Sequence, residues 1–324
     1  MKISSVKKYL CRMRREISPI TDKKYRILFL YIDFIYCYFK YGTVLDQYVR
    51  GHFFELSKGQ RKKSVTYKRI CKVYEASITP EFTHLLKNKI DFNNHFSSLI
   101  QRQWLHSKEM NFEDFSKLCV HSAELIVKPI DESEGKGIYS IHTSKSYIEI
   151  KDCFKKLKSE NLVIEERLYS HKETTFGAKS LNTIRAHSLI SKDGEVIFLK
   201  FILRAGVGDT VVDNYCAGGC IYEVDERTGR IISEGYSKTR PRSAVHPGTN
   251  IVMMGYQLPY WKEVKALVLK AHKLIPQMRF IGWDIAITDN GPELIEGNHH
   301  PDYDLLEFVG TRFWWPAFKT ILNI

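Results

Sequence analysis

Asp284, Glu296 and Asn298 are the residues whose types and spacing point most directly to chemistry. They lie in the stretch RFIGWDIAITDNGPELIEGN, residues 279–298. Two strand-like runs, 280–288 and 293–298, flank Asp289, Asn290 and Gly291. Asn-Gly is the strongest short hairpin signal. Folding back brings Asp284 near Glu296 and Asn298, and those two, two positions apart, share a face. Three hard oxygen donors on one side of a hairpin suit Mg²⁺, with phosphate oxygens completing its shell. The plainer alternative is a hairpin with solvated carboxylates. Against it, Asp284 and Glu296 each interrupt an otherwise apolar strand.

Lys128 is a charge inside the β-run ELIVKPI, residues 124–130. On an exposed edge it would be ordinary; in a central strand it needs an anionic partner. The loop after it carries Ser133, Gly135, Lys136 and Gly137. Glycines let backbone N–H groups approach phosphates closely. The loop matches neither the GxxxxGK[ST] phosphate motif nor the dinucleotide fingerprint. Glu165 and Glu166 end the strand 161–166, where they could read an adenine edge and ribose hydroxyls or be a solvated strand end. Asn182, Arg185 and Arg204 are donors that suit carboxylate or phosphate. Asp213 and Asn214 add polar groups in the glycine-rich loop 205–219. His246, His299 and His300 lack the spacing of a metal site, although the last two follow Asn298 directly.

The elements that must position these groups change character along the chain. Of 324 residues, 44% are apolar and 27% charged, which excludes wholesale disorder. Seven cysteines without CxxC spacing argue against a disulfide framework or a zinc cluster and for a reducing compartment. The net charge of +12 is confined to residues 1–80, with 18 Lys/Arg against 6 Asp/Glu; the remainder is balanced. A nucleic-acid enzyme would spread basic charge around its site, so no nucleic-acid partner is expected. The run ILFLYIDFIYCYF, residues 27–39, is too short to span a bilayer and has Asp33 in its middle. It reads as a helix, either buried or lying on an anionic membrane surface.

Residues 57–63 read as a charged linker, 64–75 as mixed, 87–94 as turns, and 96–105 and 112–119 as helices. From residue 124 the texture becomes β-rich. Strands are expected at 124–130, 138–143, 161–166, 185–190, 195–204 and 220–225, with helices at 146–159 and 260–275. Antiparallel strands with interposed helices describe an α+β fold. The expected division is a helical basic region, 1–111, and a catalytic region, 112–324, with lobes at 112–166 and 167–324.

The ordered set is Lys-Pro, glycine loop, Glu-Glu, Asn-Thr-x-Arg, Arg with a Gly-rich loop holding Asp-Asn and Gly-Gly, then Gly-Trp-Asp and Glu-x-Asn. This order resembles the ATP-grasp superfamily over residues 112–310, and most closely its sugar-transfer-associated branch of polysaccharide gene clusters. The stretch YFKYGTVLDQYVRGHFFELS, residues 38–57, is also similar to that branch's leader region. The resemblance implies an ATP-grasp fold with nucleotide between two lobes. It implies Lys128 on the ATP α/β-phosphates and the loop of Ser133, Gly135, Lys136 and Gly137 as a flap. Glu165 and Glu166 would sit at the adenine hinge, and His171 or Glu173 would face the ribose. Lys200 would contact phosphate, and Asp284, Glu296 and Asn298 would bind Mg²⁺. Arg185 and Arg204 would orient the acyl carboxylate or the transferring phosphoryl group, with Asn182, Asp213 and Asn214 on the acceptor side.

The implied reaction is ATP-dependent carboxylate–amine ligation through an acyl phosphate. A sugar uronate, free or lipid-linked, would join an amino acid or amine in capsule, exopolysaccharide or O-antigen assembly. The implied location is the cytoplasm or the inner face of the membrane, with residues 1–80 touching lipid. Two other readings use the same residues. One is a kinase acting on a sugar or lipid-linked glycan; the other is a non-catalytic assembly component.

Overall fold

The computed structural model describes residues 11–20, 23–132, 136–144, 146–208, 218–237, 240–310 and 312–324. The expected site residues Ser133, Gly135, Asp213 and Asn214 lie outside them. The chain forms two compact units: a terminal unit of Met1–Ser77 with Asp302–Ile324, and a central unit of Ile78–Pro301. The boundary therefore falls at residue 78, where the sequence placed it at 112. The segment between carries strand β1, Trp104–His106, which pairs inside the first sheet of the central unit.

In the terminal unit, helix α1 runs Lys24–Tyr41 and ends at Gly42, whose N–H bonds to the Tyr38 carbonyl. Gly42 has φ +71°, and a Cβ there would sit 2.2 Å from Lys68 Cβ, so glycine is required for both reasons. Leu30, Phe34, Cys37 and Tyr41, one helical stripe, pack with Leu45, Tyr48 and Phe53. Asp33 is not an unsupported charge: Arg61 grips it at 2.7 and 2.8 Å and the Tyr48 hydroxyl donates at 2.8 Å. The expected linker 57–63 is instead a helix, Lys58–Lys63, because Ser57 and Gln60 form a reciprocal capping box. The segment expected to be mixed contains helix α2, Tyr67–Ser77.

The central unit holds two antiparallel sheets. The first has the order β1-β4-β2-β3, with β2 Glu124–Pro129, β3 Tyr139–His142 and β4 Leu162–Glu166. Helices α4, Phe112–His121, and α5, Tyr147–Lys158, pack on one face against Leu125, Val127, Leu162 and Ile164. Strand alternation then turns Lys128 and Glu165 to the opposite face. The expected turns at 87–94 are instead helix α3, Lys89–His95, capped by the Asn88 side chain on the Ile90 and Asp91 amides. The helix expected at 96–105 gives way to a single turn, Ser97–Leu99, and then β1.

The second sheet has the order β7-β6-β5-β8-β9. Its strands are β5 Thr183–Ile190, β6 Val196–Ala205, β7 Cys220–Val224, β8 Phe280–Thr288 and β9 Gly291–Asn298. Helix α6, Trp261–Leu274, covers one face through Trp261, Val264, Leu267, Val268 and Ala271. A buried polar chain fastens it. The Trp283 indole N–H donates to Ser188 Oγ at 3.0 Å, and Ser188 lies 2.7 Å from His272 Nδ1. His272 Nε2 lies 2.8 Å from the Met278 carbonyl, which fixes Nε2 as donor and Nδ1 as acceptor from Ser188. Burial lowers the His272 pKa to about 4, so the ring is neutral and the chain is satisfied. Ser188→Ala strands both the Trp283 donor and the His272 acceptor. Unfolding in denaturant should register a loss of about 1–3 kcal/mol for that variant.

Candidate active site

The face of the second sheet away from α6 carries charge. Arg185 and His187 on β5, Lys200 and Arg204 on β6, Glu223 on β7 and Asp284 on β8 all share it by alternation. Arg185 pairs in register with Asp284 and reaches it by Nε–Oδ1 at 2.5 Å. Arg204 Nη2 donates to Asp284 Oδ2 at 2.8 Å and its Nε to Thr183 Oγ1 at 2.9 Å. Gly282 makes room: a Cβ there would come within 3.2 Å of the Arg185 side chain and 2.6 Å of Pro301 Cβ. Burial would raise the Asp284 carboxyl, but the two guanidinium groups outweigh it and hold it well below the usual carboxylate range.

Asp284 is also paired with Glu296 across the β8–β9 ladder, at a register shift, and their carboxyls hydrogen-bond. The Asn298 amide donates to Glu296 Oε1 at 3.2 Å. The three residues expected to meet on the hairpin therefore do meet. Glu296 is solvent-accessible, with protein packed around its carboxyl. That crowding and the adjacent Asp284 carboxylate push its pKa up. Among the described residues no three His, Cys, Asp or Glu side chains group at metal-binding geometry. The set available is two carboxylates and one amide. These are hard donors, and a divalent cation between the carboxylates would remove the repulsion that raises Glu296, so they fit Mg²⁺.

Across the central unit, Lys128 Nζ bonds Glu165 Oε2 at 2.5 Å. Glu165 is 3% exposed and also meets Arg102, with Nε–Oε2 at 3.2 Å. Burial alone would raise its pKa; Arg102 and Lys128 reverse that and bring it to about 2. Glu165 is thus the counter-ion of Lys128, and its neighbour Glu166 is only half-buried.

A family model for sugar-transfer associated ATP-grasp proteins matches residues 80–312. The chain belongs to that family. Membership makes it an ATP-grasp protein. No curated protein matches the sequence. The solved structures it is similar to include the D-alanyl-alanine synthetase A of Vibrio cholerae, at 14% identity and TM-score 0.45, covering 75% of this chain and 67% of that one. They include purK, an N5-carboxyaminoimidazole ribonucleotide synthetase, at 12% and 0.45, covering 81% and 59%. They include the L-amino acid ligase of Bacillus licheniformis, at 13% and 0.44, covering 75% and 49%. Likeness at this level carries no argument about the reaction.

Within this ATP-grasp protein, sequence reasoning missed two residues. Lys89, the first residue of α3, donates to the carbonyls of Pro129 at 2.9 Å and Glu132 at 2.6 Å, steadying the entrance to the glycine loop. Burial lowers its pKa, with Glu296 raising it, Lys128 lowering it, and Glu165 and Asp131 raising it. One ammonium thus lies within electrostatic reach of the metal-type hairpin and of Lys128. Asn88 followed by apolar residues at 90 and 92 was the available signal, a helix cap read as a turn. Arg102 carried no signal at all.

Other expected site residues stand elsewhere. The Asn182 side chain is committed to backbone, donating to Thr174 and Thr175 carbonyls at 2.7 and 3.0 Å and accepting from Gly206 at 2.8 Å. It positions the loop after β6 and has no face left for an acceptor. Lys200 is buried beside Glu223, 3.7 Å away. His171 lies 3.8 Å from Asp289, at the tip of the β8–β9 turn, and Glu173 beside it is exposed. Lys136 is exposed, and Gly137 has φ +70°.

Proposed function

We propose that the protein is an ATP- and Mg²⁺-dependent carboxylate–amine ligase of polysaccharide assembly, joining a sugar uronate to an amino acid or amine. The observation that supports this is the buried chain Lys128–Glu165–Arg102–Glu293, which ties the strand of Lys128 to β9, the strand of Glu296 and Asn298. Lys128 on β2 and Lys89 on α3 supply cations, and Asp284 and Glu296 form an acidic pair, a charge complement suited to a triphosphate with its metal ion. Lys128 and Lys89 neutralise its anionic oxygens, and Asp284, Glu296 and Asn298 hold Mg²⁺. When bound, the ion screens charge on the transferring phosphoryl group. Arg185 and Arg204 fix Asp284 and present guanidinium groups to an acyl carboxylate. Glu166 borders the base, His171 and Glu173 flank the ribose side, and Lys200 supplies buried positive charge. In this reading the segments carrying Ser133, Gly135, Lys136 and Gly137, and Asp213 and Asn214, would serve to keep water from the activated carboxylate. The sugar assignment is supported by the family's description.

The test is ADP release from a matrix of uronic acids and amino acids, with product mass as readout. ADP formation that needs both partners and yields an amide supports the ligase. ADP with a stable phosphoester and no amine requirement makes it a kinase. Lys128→Met should cut ADP release at least about a hundredfold, since a phosphate-neutralising charge is worth several kcal/mol in such a site.

A further inference from the structure

Helix α1 has a second face. Taking 100° per residue, Tyr25, Leu28, Phe29, Ile32, Ile35, Tyr36 and Phe39 fall within an arc of about 120° centred on Ile32. All seven are exposed, Phe29 at 65% and Phe39 at 77%, on the side opposite Leu30, Phe34, Cys37 and Tyr41. No charged residue lies inside the arc. A soluble helix normally turns polar residues to water, and a contiguous apolar stripe of this length marks an interaction surface. Lys24 borders one edge of the arc and Lys40 the other. Lys40 folds against the Tyr36 ring, 5.0 Å from its centroid, and Lys58 acts on the same tyrosine.

The terminal unit, Met1–Ser77 with Asp302–Ile324, holds 20 Lys/Arg against 9 Asp/Glu, whereas the central unit holds 29 against 28. The excess charge of the whole protein thus resides in the unit that exposes the stripe. A second copy of this chain would bring two strongly basic units together, and an acidic lipid surface would neutralise one. No helix among the described residues is long and apolar enough to cross a membrane.

We propose that α1 is an interfacial helix that seats the protein on an anionic lipid surface. The aromatic and aliphatic arc enters the headgroup boundary, and Lys24, Lys40 and Lys58 remain at phosphate level. Two weak terms, apolar insertion and charge, add to one reversible attachment. This stands apart from the ligase reading, because none of these residues belongs to the candidate active site.

The experiment is co-sedimentation of the full chain with vesicles of phosphatidylcholine alone or mixed with phosphatidylglycerol. Binding to the mixed vesicles should exceed binding to the neutral ones by at least about tenfold and weaken in high salt. The double variant Phe29→Ser/Phe39→Ser should lose most of that binding with an unchanged melting temperature, since both side chains face solvent. Nucleotide binding should be unaffected. Absence of wild-type binding to mixed vesicles overturns the proposal, as does undiminished binding by the double variant. A wild-type dimer in light scattering that the double variant converts to monomer also overturns it, and makes the stripe a self-association surface.

Discussion

Replacing Glu296 with Gln should cut Mg²⁺-dependent turnover by orders of magnitude and leave the metal-free fold at least as stable as before. The two effects come from one geometry. Glu296 hydrogen-bonds the Asp284 carboxyl across the β8–β9 ladder, and its pKa is raised by its crowded position and by that neighbour. A carboxyl with a raised folded-state pKa favours the fold while protonated. Its contribution is present in acid and is lost as pH rises from the ordinary glutamate range through the raised value. At neutral pH the wild-type pair therefore repels, and the neutral amide relieves it. Mg²⁺ binding has the opposite requirement, because only the ionised carboxylate is a good ligand. Wild type should gain melting temperature on adding Mg²⁺ with ATP, and this gain should fade as pH falls through the raised pKa. Glu296→Gln should show no such gain, and its ADP release should drop roughly a thousandfold, the several kcal/mol expected of lost charge stabilisation. Retained turnover, or a wild-type-like metal response, would remove the hairpin from the chemistry.

Strands and their partners were legible because alternation is written directly in residue order. The runs at 185–190, 195–204 and 280–288 appear as β5, β6 and β8 with ends moved by two residues or fewer. The meeting of Asp284, Glu296 and Asn298 followed from one Asn-Gly turn and the two-residue period. What stayed hidden depends on contacts between segments distant in sequence. Glu165 looks like a strand-end carboxylate until Arg102 and Lys128 are seen closing around it. Asn182 looks like a free polar group until its amide is found bonded to three backbone groups. The helices at 58–63 and 89–95 were missed because short polar helices owe their existence to caps, Ser57 with Gln60 and Asn88, rather than to apolar periodicity.

Arg102→Met should be the most destabilising single change in the central unit. The Arg102 guanidinium bonds Glu293 Oε1 at 3.0 Å and the Leu294 carbonyl at 2.6 Å on β9. It also meets Glu165 Oε2 at 3.2 Å on β4 and Asn93 Oδ1 at 3.3 Å on α3. One buried cation therefore joins both sheets and α3. A buried ion pair adds little over an apolar replacement of the whole set, but removing one partner leaves the others stranded. Here two carboxylates, Glu165 and Glu293, would lose their shared cation, at a cost of about 3–5 kcal/mol in chemical denaturation. The loss should depend on pH. In the wild type, Glu165 is held to about 2, so its contribution is full above the ordinary carboxylate range and disappears as pH falls toward that value. The gap between wild type and variant should accordingly be widest near neutrality and narrow in acid. Adding Glu293→Gln to Arg102→Met should recover part of the stability, because one stranded charge is then neutral. On the proposed ATP site, binding should suffer too: with Arg102 gone, Lys128 is the cation left bonded to Glu165 and is drawn toward it, so the KM for ATP rises more than kcat falls. A pH-independent loss below about 1 kcal/mol would mean that the two sheets are joined by their apolar packing and that the buried charges are bystanders.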